Sequence, residues 1–356
     1  MNQINLCALI MAGGKGTRLW PESTSARPKQ YLKMLGDDSL IKSTVNRLEG
    51  LISTENRFVV TVDEQSALAK ECLGETVPEK NYIYEPKGRN TAPCIFLSLA
   101  QLLSDPNRNP DDVVAILPSD HIILNKEGFQ NTLKIAFDLS VRMKTIVTIG
   151  IKPHFPHTGF GYIKADEVIE KDSFTVEAFK EKPDFETAKS YIESGKNFWN
   201  AGMFVGQIST LIEEFKAYCP DYLTELNALK ENVSNPDELL KVYDRLKAIS
   251  IDYAIMEKSK RINVVQAQFD WNDLGSWDAM ESVLEREDDN FIIKAKDLKQ
   301  IGSKNNIVFA PEHSVALVDV EDLVVVTNQK VVTVMKKQSA QKIKEIVALF
   351  KDTDLV

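Results

Sequence analysis

The feature that most limits how this chain can fold is a six-residue apolar run, Leu6–Met11 (LCALIM), that leads directly into AGGKGTRLWPESTSARPKQY, residues 12–31. The run is short and uniformly apolar, and it reads as a strand buried on both faces. Three glycines in four positions follow: Gly13, Gly14 and Gly16. Glycine keeps no side chain between backbone and ligand and accepts positive φ, so successive N–H groups can converge on one anion. Lys15, Arg18, Arg27 and Lys29 stand against one acid, Glu22, so the stretch is cationic inside a chain of net charge −9. A strand that empties into such a loop suits polyphosphate binding. The plainer alternative is a glycine-rich turn with solvated charges.

Two common phosphate motifs are excluded. The string GxxxxGK[ST] is absent, and Leu19 stands where a GxGxxG fingerprint needs its third glycine. The rest of the chain nevertheless continues as an alternation of strands and helices. Apolar spacing predicts helices over 39–49, 65–73 and 91–103, and another around Phe129, Leu133, Ala136 and Phe137. Strands are predicted over 58–62, 81–84, 113–117 and 145–150. This alternation argues for a parallel α/β sheet with helices on both faces. Ligands in such sheets sit beyond the carboxyl ends of the strands. Three unusual stretches fall at those ends: the glycine loop, EPKGRNTAP after 81–84, and PSDH after 113–117. They point to one site.

From 160 to 204 the pattern turns β-rich, helices are predicted near 210–218 and 236–248, and 261–275 reads as a strand running into a tight turn. A boundary is expected in the charged stretch 285–290, dividing a domain 1–285 from a small β-rich domain 286–356. In the latter, FIIKA, NIVFA, SVALV, DLVVV and KVVTVM recur about every ten residues before a final helix with Ile343, Ile346, Val347 and Phe350 on one face.

With 356 residues, 43% hydrophobic and 27% charged, the chain is long enough for two domains of ordinary globular composition. No apolar run approaches the roughly 18 residues that would span a bilayer, and no signal peptide is evident. A cytoplasmic, non-membrane protein is expected. Cys7, Cys72, Cys94 and Cys219 form no CxxC pair, so reduced thiols are expected and structural zinc is not. The acidic balance argues against a nucleic-acid partner.

The string GGKGTRLWPESTSARPKQ resembles the signature GGxGTRLWPxSxxxxPKQ of the sugar-nucleotide pyrophosphorylases, specifically the mannose-1-phosphate guanylyltransferases, at every fixed position. The likeness runs from Leu6 to about Val347, with the motifs in the expected order. It implies a Rossmann-like (GT-A-like) α/β nucleotidyltransferase with a mixed, mainly parallel sheet and a small C-terminal β-helix-like module used in homodimer contacts. Longer relatives append an isomerase domain, which this chain is too short to contain. The implied reaction joins GTP and α-D-mannose 1-phosphate into GDP-mannose and pyrophosphate, with Mg²⁺ and no covalent enzyme intermediate.

The same resemblance implies roles for individual residues. Lys15 and Arg18 would grip the triphosphate and stabilise the departing pyrophosphate, Lys29 would meet the α-phosphate region, and Ala12, Gly13, Gly14, Gly16 and Thr17 would form the nucleotide cradle. Asp120 (in LPSDH) and Asp273 (in WNDLGSW) would hold the metal through hard carboxylate oxygens. For both, a turn aspartate bonding its own backbone is the alternative. Asp270 is a weaker neighbour, and His121 reads as structural. Gly161, Glu181, Lys182 and Asn200 match the sugar-phosphate elements, although Glu181 and Lys182 could equally be solvated charges at a strand end. Arg89, Asn90 and Thr91 would lie near the nucleotide. Two rival readings are a sister enzyme making another sugar nucleotide and a catalytically silent GDP-mannose-binding subunit.

Overall fold

Buried apolar runs become strands, and amphipathic segments become helices, mostly where periodicity puts them. The computed structural model describes residues 4–14, 16–351, 353 and 355. In its first half β1 (Leu6–Met11), β2 (Arg57–Val62), β3 (Tyr82–Glu85), β4 (Val113–Pro118) and β5 (Ile146–Ile151) alternate with α1 (Leu40–Arg47), α2 (Ser66–Leu73), α3 (Thr91–Leu102) and α4 (Lys126–Met143). Caps set the helix starts. The Ser39 hydroxyl accepts from Lys42 N, and the Asn125 side chain accepts from Gly128 N.

The second half supplies β6 (Tyr162–Glu170), β7 (Ser173–Lys180), α5 (Phe185–Ser194), β8 (Asn197–Gln207), α6 (Ile208–Tyr218), α7 (Pro220–Glu231), α8 (Pro236–Tyr243) and β9 (Ile262–Gln266). The sheet order is β3-β2-β1-β4-β8-β5-β9-β7-β6. All its strands run one way except β7 and β8, so the sheet is mixed and mainly parallel. Helices α5 and α7 lie outside the set that periodicity predicts. Only Ala188 of α5 is buried, and α7 follows α6 after Cys219 alone, so neither stands out by apolar period.

One apolar core lies on each face of the sheet. The first packs β1 and β4 residues against α3, α6, α7 and α8, and the second packs the opposite faces of the same strands against α1, α2 and α4. No helix among the described residues is long and apolar enough to cross a membrane.

Beyond the sheet, β10 (Phe291–Ile301), β11 (Ile307–Val318) and β12 (Leu323–Thr327) stack in parallel, β13 (Val332–Lys336) returns antiparallel, and α9 (Ile343–Leu349) ends the module. The two predicted runs NIVFA and SVALV are one strand, β11, interrupted by a register shift. Ala310 pairs with Ala295, but Ser314 pairs with Asp297, so the residues 311–313 bulge outward.

The unit that repeats is also longer than the apparent ten-residue spacing. Asn290 and Asn306, 16 residues apart, stand at equivalent corners, and Asn306 Nδ2 donates to Asn290 Oδ1 at 2.9 Å. Leu323 N in turn donates to Asn306 Oδ1. A buried asparagine ladder of this kind closes the corner of each turn in a β-helix-like stack. A further core joins this module to the sheet, packing Phe291, Ile307, Phe309, Val324 and Val326 against Leu19, Leu274 and Trp277.

Candidate active site

The glycine loop leaves β1 at the carboxyl edge of the sheet and is held from beneath. Gln30 Nε2 reaches the carbonyls of Ala12 and Gly14, each at 2.9 Å, and Gln65 Oε1 at 3.0 Å. The Thr61 hydroxyl also donates to Ala12 O. With these carbonyls tied down, the loop's outer surface is left to N–H groups and side chains. Ala12 is buried, Gly13, Gly16 and Thr17 are half-buried, and Gly14 and Arg18 are exposed. Gly16 has φ +20, and a Cβ there would lie 3.1 Å from Lys29 Cβ, so the loop packs directly on the lysine. Lys15 lies outside the described residues.

Two acidic turns meet beside this loop. The first follows β4 and carries Asp120, and the second follows β9 and carries Asp273. They are stitched together by an antiparallel bridge, with Ile122 N to Asn272 O at 2.9 Å and Asn272 N to Ile122 O at 3.1 Å. The Lys29 ammonium spans both turns. It donates to Asp120 Oδ2 at 2.8 Å and to the backbone carbonyl of Asp273. The Lys29 side chain is only 8% exposed, so its charge is aimed by the fold.

Burial alone would push the Asp120 carboxyl up. The Lys29 charge, the His121 charge and the Lys29 hydrogen bond together outweigh it and hold the group below the usual carboxylate range. His121 itself is driven down to about 4 by burial, and its Nδ1 accepts from Trp271 Nε1 at 3.1 Å. A neutral ring held in this way is a structural support, as its sequence position suggested. Asp270 is also structural, because its two oxygens accept from Leu124 N and Asn125 N at 2.8 and 2.7 Å.

A metal would find carboxylate oxygens on Asp120 and Asp273. Among the described residues no group of three or more His, Cys, Asp or Glu gathers to hold an ion by itself. Two hard carboxylates completed by phosphate oxygens and water form the donor set that Mg²⁺ accepts, so the residues fit.

The predicted sugar residues come together just before β6, on β8 and in the turn after β7. Asn200 lies where β8 bulges against β5, between the pairs Thr148–Phe204 and Gly150–Asn200. Its Oδ1 accepts from Gly202 N at 3.0 Å and the Thr148 hydroxyl at 3.3 Å, and its Nδ2 donates to Asp252 Oδ1 at 3.0 Å. Gly161 carries Asn200 through its carbonyl, and a Cβ on Gly161 would stand 2.5 Å from Glu181 Oε2. Glycine is therefore what lets the Glu181 carboxylate lie against the strand. Glu181 is 9% exposed at its side chain and pairs with the neighbouring Lys182. Asp252 is a member of this cluster that sequence reasoning misses. It opens a π-helical turn, Asp252–Met256, and burial together with the Glu181 charge pushes its carboxyl up to about 6. π-turns concentrate at functional sites, but a five-residue irregularity leaves no periodic trace in sequence.

At the other edge, Asn90 caps α3 with φ 75, accepting from Thr91 N, and the Thr91 hydroxyl accepts from Ile251 N. Arg89 behaves differently from the expectation of a nucleotide contact. Its guanidinium is committed to Leu246 O and Asp244, and it braces the loop from behind. The group that faces the glycine loop is Glu85, the last residue of β3. Its Oε1 accepts from Tyr243 OH at 2.6 Å and Arg89 N at 3.0 Å, while a Cβ on Gly13 would meet Oε2 at 3.3 Å. Burial pushes its carboxyl up. The available signal was an acid at the mouth of EPKGRNTAP.

A lysine joining the Asp120 carboxylate to the Asp273 backbone, set beside a braced glycine loop on a mainly parallel sheet, gives this candidate site its frame. Residues 7–289 match the nucleotidyl transferase family model, and residues 299–349 match the mannose-phosphate isomerase/GMP-like β-helix domain; the chain belongs to the nucleotidyl transferase family. It is 34% identical to mannose-1-phosphate guanylyltransferase 2 of Escherichia coli O157:H7, over 99% of this chain and 74% of that protein. It is 33% identical to mannose-1-phosphate guanylyltransferase of Klebsiella pneumoniae, over 97% of this chain and 74% of that one. Among solved structures, a Thermus thermophilus protein described as a mannose-1-phosphate geranyltransferase superposes with TM-score 0.89 at 30% identity, covering 98% of this chain and 100% of that one.

Proposed function

We propose that this chain transfers the guanylyl group of GTP to α-D-mannose 1-phosphate, giving GDP-mannose and pyrophosphate. The observation that carries the reading is the Lys29 ammonium held between the Asp120 and Asp273 turns beside the glycine loop. Nucleotidyl transfer asks for charge neutralisation and in-line positioning more than for proton transfer. The acceptor's phosphate is ionised near neutral pH, so no general base is required, and His121 is already occupied by Trp271. Lys15, Arg18 and Lys29 would neutralise the triphosphate, and Ala12, Gly13, Gly14, Gly16 and Thr17 would cradle it. Asp120 and Asp273 would hold Mg²⁺, which when bound adds positive charge against the phosphate oxygens.

Gly161, Glu181, Lys182 and Asn200 would bind the sugar phosphate. The hydrogen bonds around Asn200 leave its amide in one orientation, which favours a single sugar pose. At the base end, the Glu85 carboxylate suits the adjacent N1–H and N2–H donors of guanine better than a base presenting acceptors there. Asn90 and Thr91 would border the same pocket, with Arg89 as its brace. The two domains are proposed to divide at 285/286. Homodimer contacts are assigned to the C-terminal module, and a cytoplasmic, membrane-free setting agrees with four free cysteines.

The test is a grid of four nucleoside triphosphates against several sugar 1-phosphates, read by pyrophosphate release. Highest kcat/KM for GTP with mannose 1-phosphate is expected. A clear preference for another pair would reassign the substrates, and no release with any pair would refute the enzyme reading.

A further inference from the structure

A cavity of about 780 Å³ opens between the sugar end of the sheet and the C-terminal module. Arg18 enters it from the glycine loop, Lys182 from the sugar end, Asp273 and Ser276 from the metal turn, and Gln341 and Lys344 from the far end of the chain. The last two are firmly placed. Gln341 Nε2 donates to Ser276 Oγ at 2.9 Å, Ile343 is buried, and Phe350 stacks on Trp20 with ring centres 5.4 Å apart. Trp20 belongs to the signature loop, and its carbonyl accepts from Trp277 Nε1 at 3.0 Å. The C-terminal helix is thus locked to the same loop that carries Arg18.

The charges around this cavity are unevenly satisfied. Asp278 accepts from the Ser276 hydroxyl, Glu281 accepts from Lys337 Nζ at 3.1 Å, and Lys182 pairs with Glu181. Among the described residues, Arg18 and Lys344 form no ion pair. Two uncommitted cations from opposite ends of the chain therefore face one space beside Asp273. A phosphoryl group, with two or more negative charges, is the ligand that matches them.

We propose that Lys344 is a phosphate-binding residue of the active site, supplied by the C-terminal module, and that with Arg18 it clamps a phosphoryl group in this cavity. The inference rests on the reading of the site as a nucleotidyltransferase using a sugar 1-phosphate. The phosphoryl group is either that of the acceptor or that of the departing pyrophosphate. Lys344 is exposed, so its replacement leaves the core intact.

The experiment compares the full chain with Lys344→Glu and Lys344→Arg, first in steady-state kinetics in both directions. A KM raised roughly tenfold in Lys344→Glu, with a smaller change in kcat and recovery in Lys344→Arg, is expected. If the KM of mannose 1-phosphate rises in the forward direction, the clamp holds the acceptor. If only the KM values of pyrophosphate and GTP rise, it holds the leaving group. Calorimetric titration of mannose 1-phosphate and of pyrophosphate into both variants reads the same effect without turnover, so the test stands even if the preferred substrates prove different. Unchanged binding of both phosphates in Lys344→Glu would overturn the proposal.

Discussion

The two ends of the large sheet proposed to bind nucleotide and sugar are built in opposite ways. At the end proposed to hold the nucleotide the surface is backbone and long cationic side chains, with Gly14 and Arg18 exposed and the carbonyls pinned from below by Gln30. At the end proposed to hold the sugar it is a set of compact side chains, with Asn200 tied to both Thr148 and Asp252 and the Glu181 carboxylate facing Asp252. On the proposed reading the first arrangement would be completed by its ligand's charge, whereas the second is organised beforehand. A polyphosphate can be gripped largely through charge, whereas telling one sugar epimer from another requires groups held in fixed positions.

Substitutions can break this contrast at either end. The largest effect is expected at the turn proposed to hold the metal, where Asp273→Asn should lower kcat/KM roughly a thousandfold, about 4 kcal/mol of transition-state stabilisation, with the fold retained by circular dichroism. A near-normal rate would remove Asp273 from the chemistry. Gly161→Ala comes next, because the added methyl must displace the Glu181 carboxylate. The KM for mannose 1-phosphate should rise on the order of a hundredfold while that for GTP stays within a few-fold. Equal losses for both substrates would show that the two ends are not independent.

Glu85→Gln replaces one acceptor oxygen by a donor, and should reduce the preference for GTP over other triphosphates roughly tenfold. Retained selectivity would move base recognition elsewhere.

The smallest expected effect sharpens the picture of the organised end. Because the Asp252 carboxyl sits at about 6, above its ordinary 3.8, the folded chain binds that proton more tightly than the unfolded chain. Its contribution to stability is therefore complete below about pH 4 and lost as pH rises through 6. Asp252→Asn should lose less stability than the wild type between those values when urea denaturation is followed at each pH. Identical slopes would indicate that burial and the Glu181 charge do not raise the Asp252 carboxyl.

Much of the framework was readable from residue order. Strands such as Leu6–Met11 and Val113–Pro118 are buried on both sides and announce themselves as unbroken apolar runs. The glycine loop was equally plain, because glycine and charge are both unusual in such density. Helix α5 was hidden because its face buries little, although Asp184 accepting from Thr187 N and Gly195 in the left-handed region mark its ends. The C-terminal period was obscured by the bulge at 311–313, which splits one strand into two apparent runs. Arg89 illustrates a different limit. A cation in a nucleotide-proximal motif looks like a ligand contact until the carbonyl of Leu246, 157 residues away, is seen to take it.

By itself, then, the order of residues determined the family of folds, the glycine-rich cationic loop and the candidate acids, since those follow from short-range periodicity and composition. Tertiary structure alone decided that Lys29 spans Asp120 and Asp273, that Glu85 turns toward Gly13, and that α9 reaches the cavity beside Arg18. The physical reason is distance along the chain. Each of these contacts joins segments whose approach is set by sheet order and by packing in the shared cores, and neither is encoded in any local stretch.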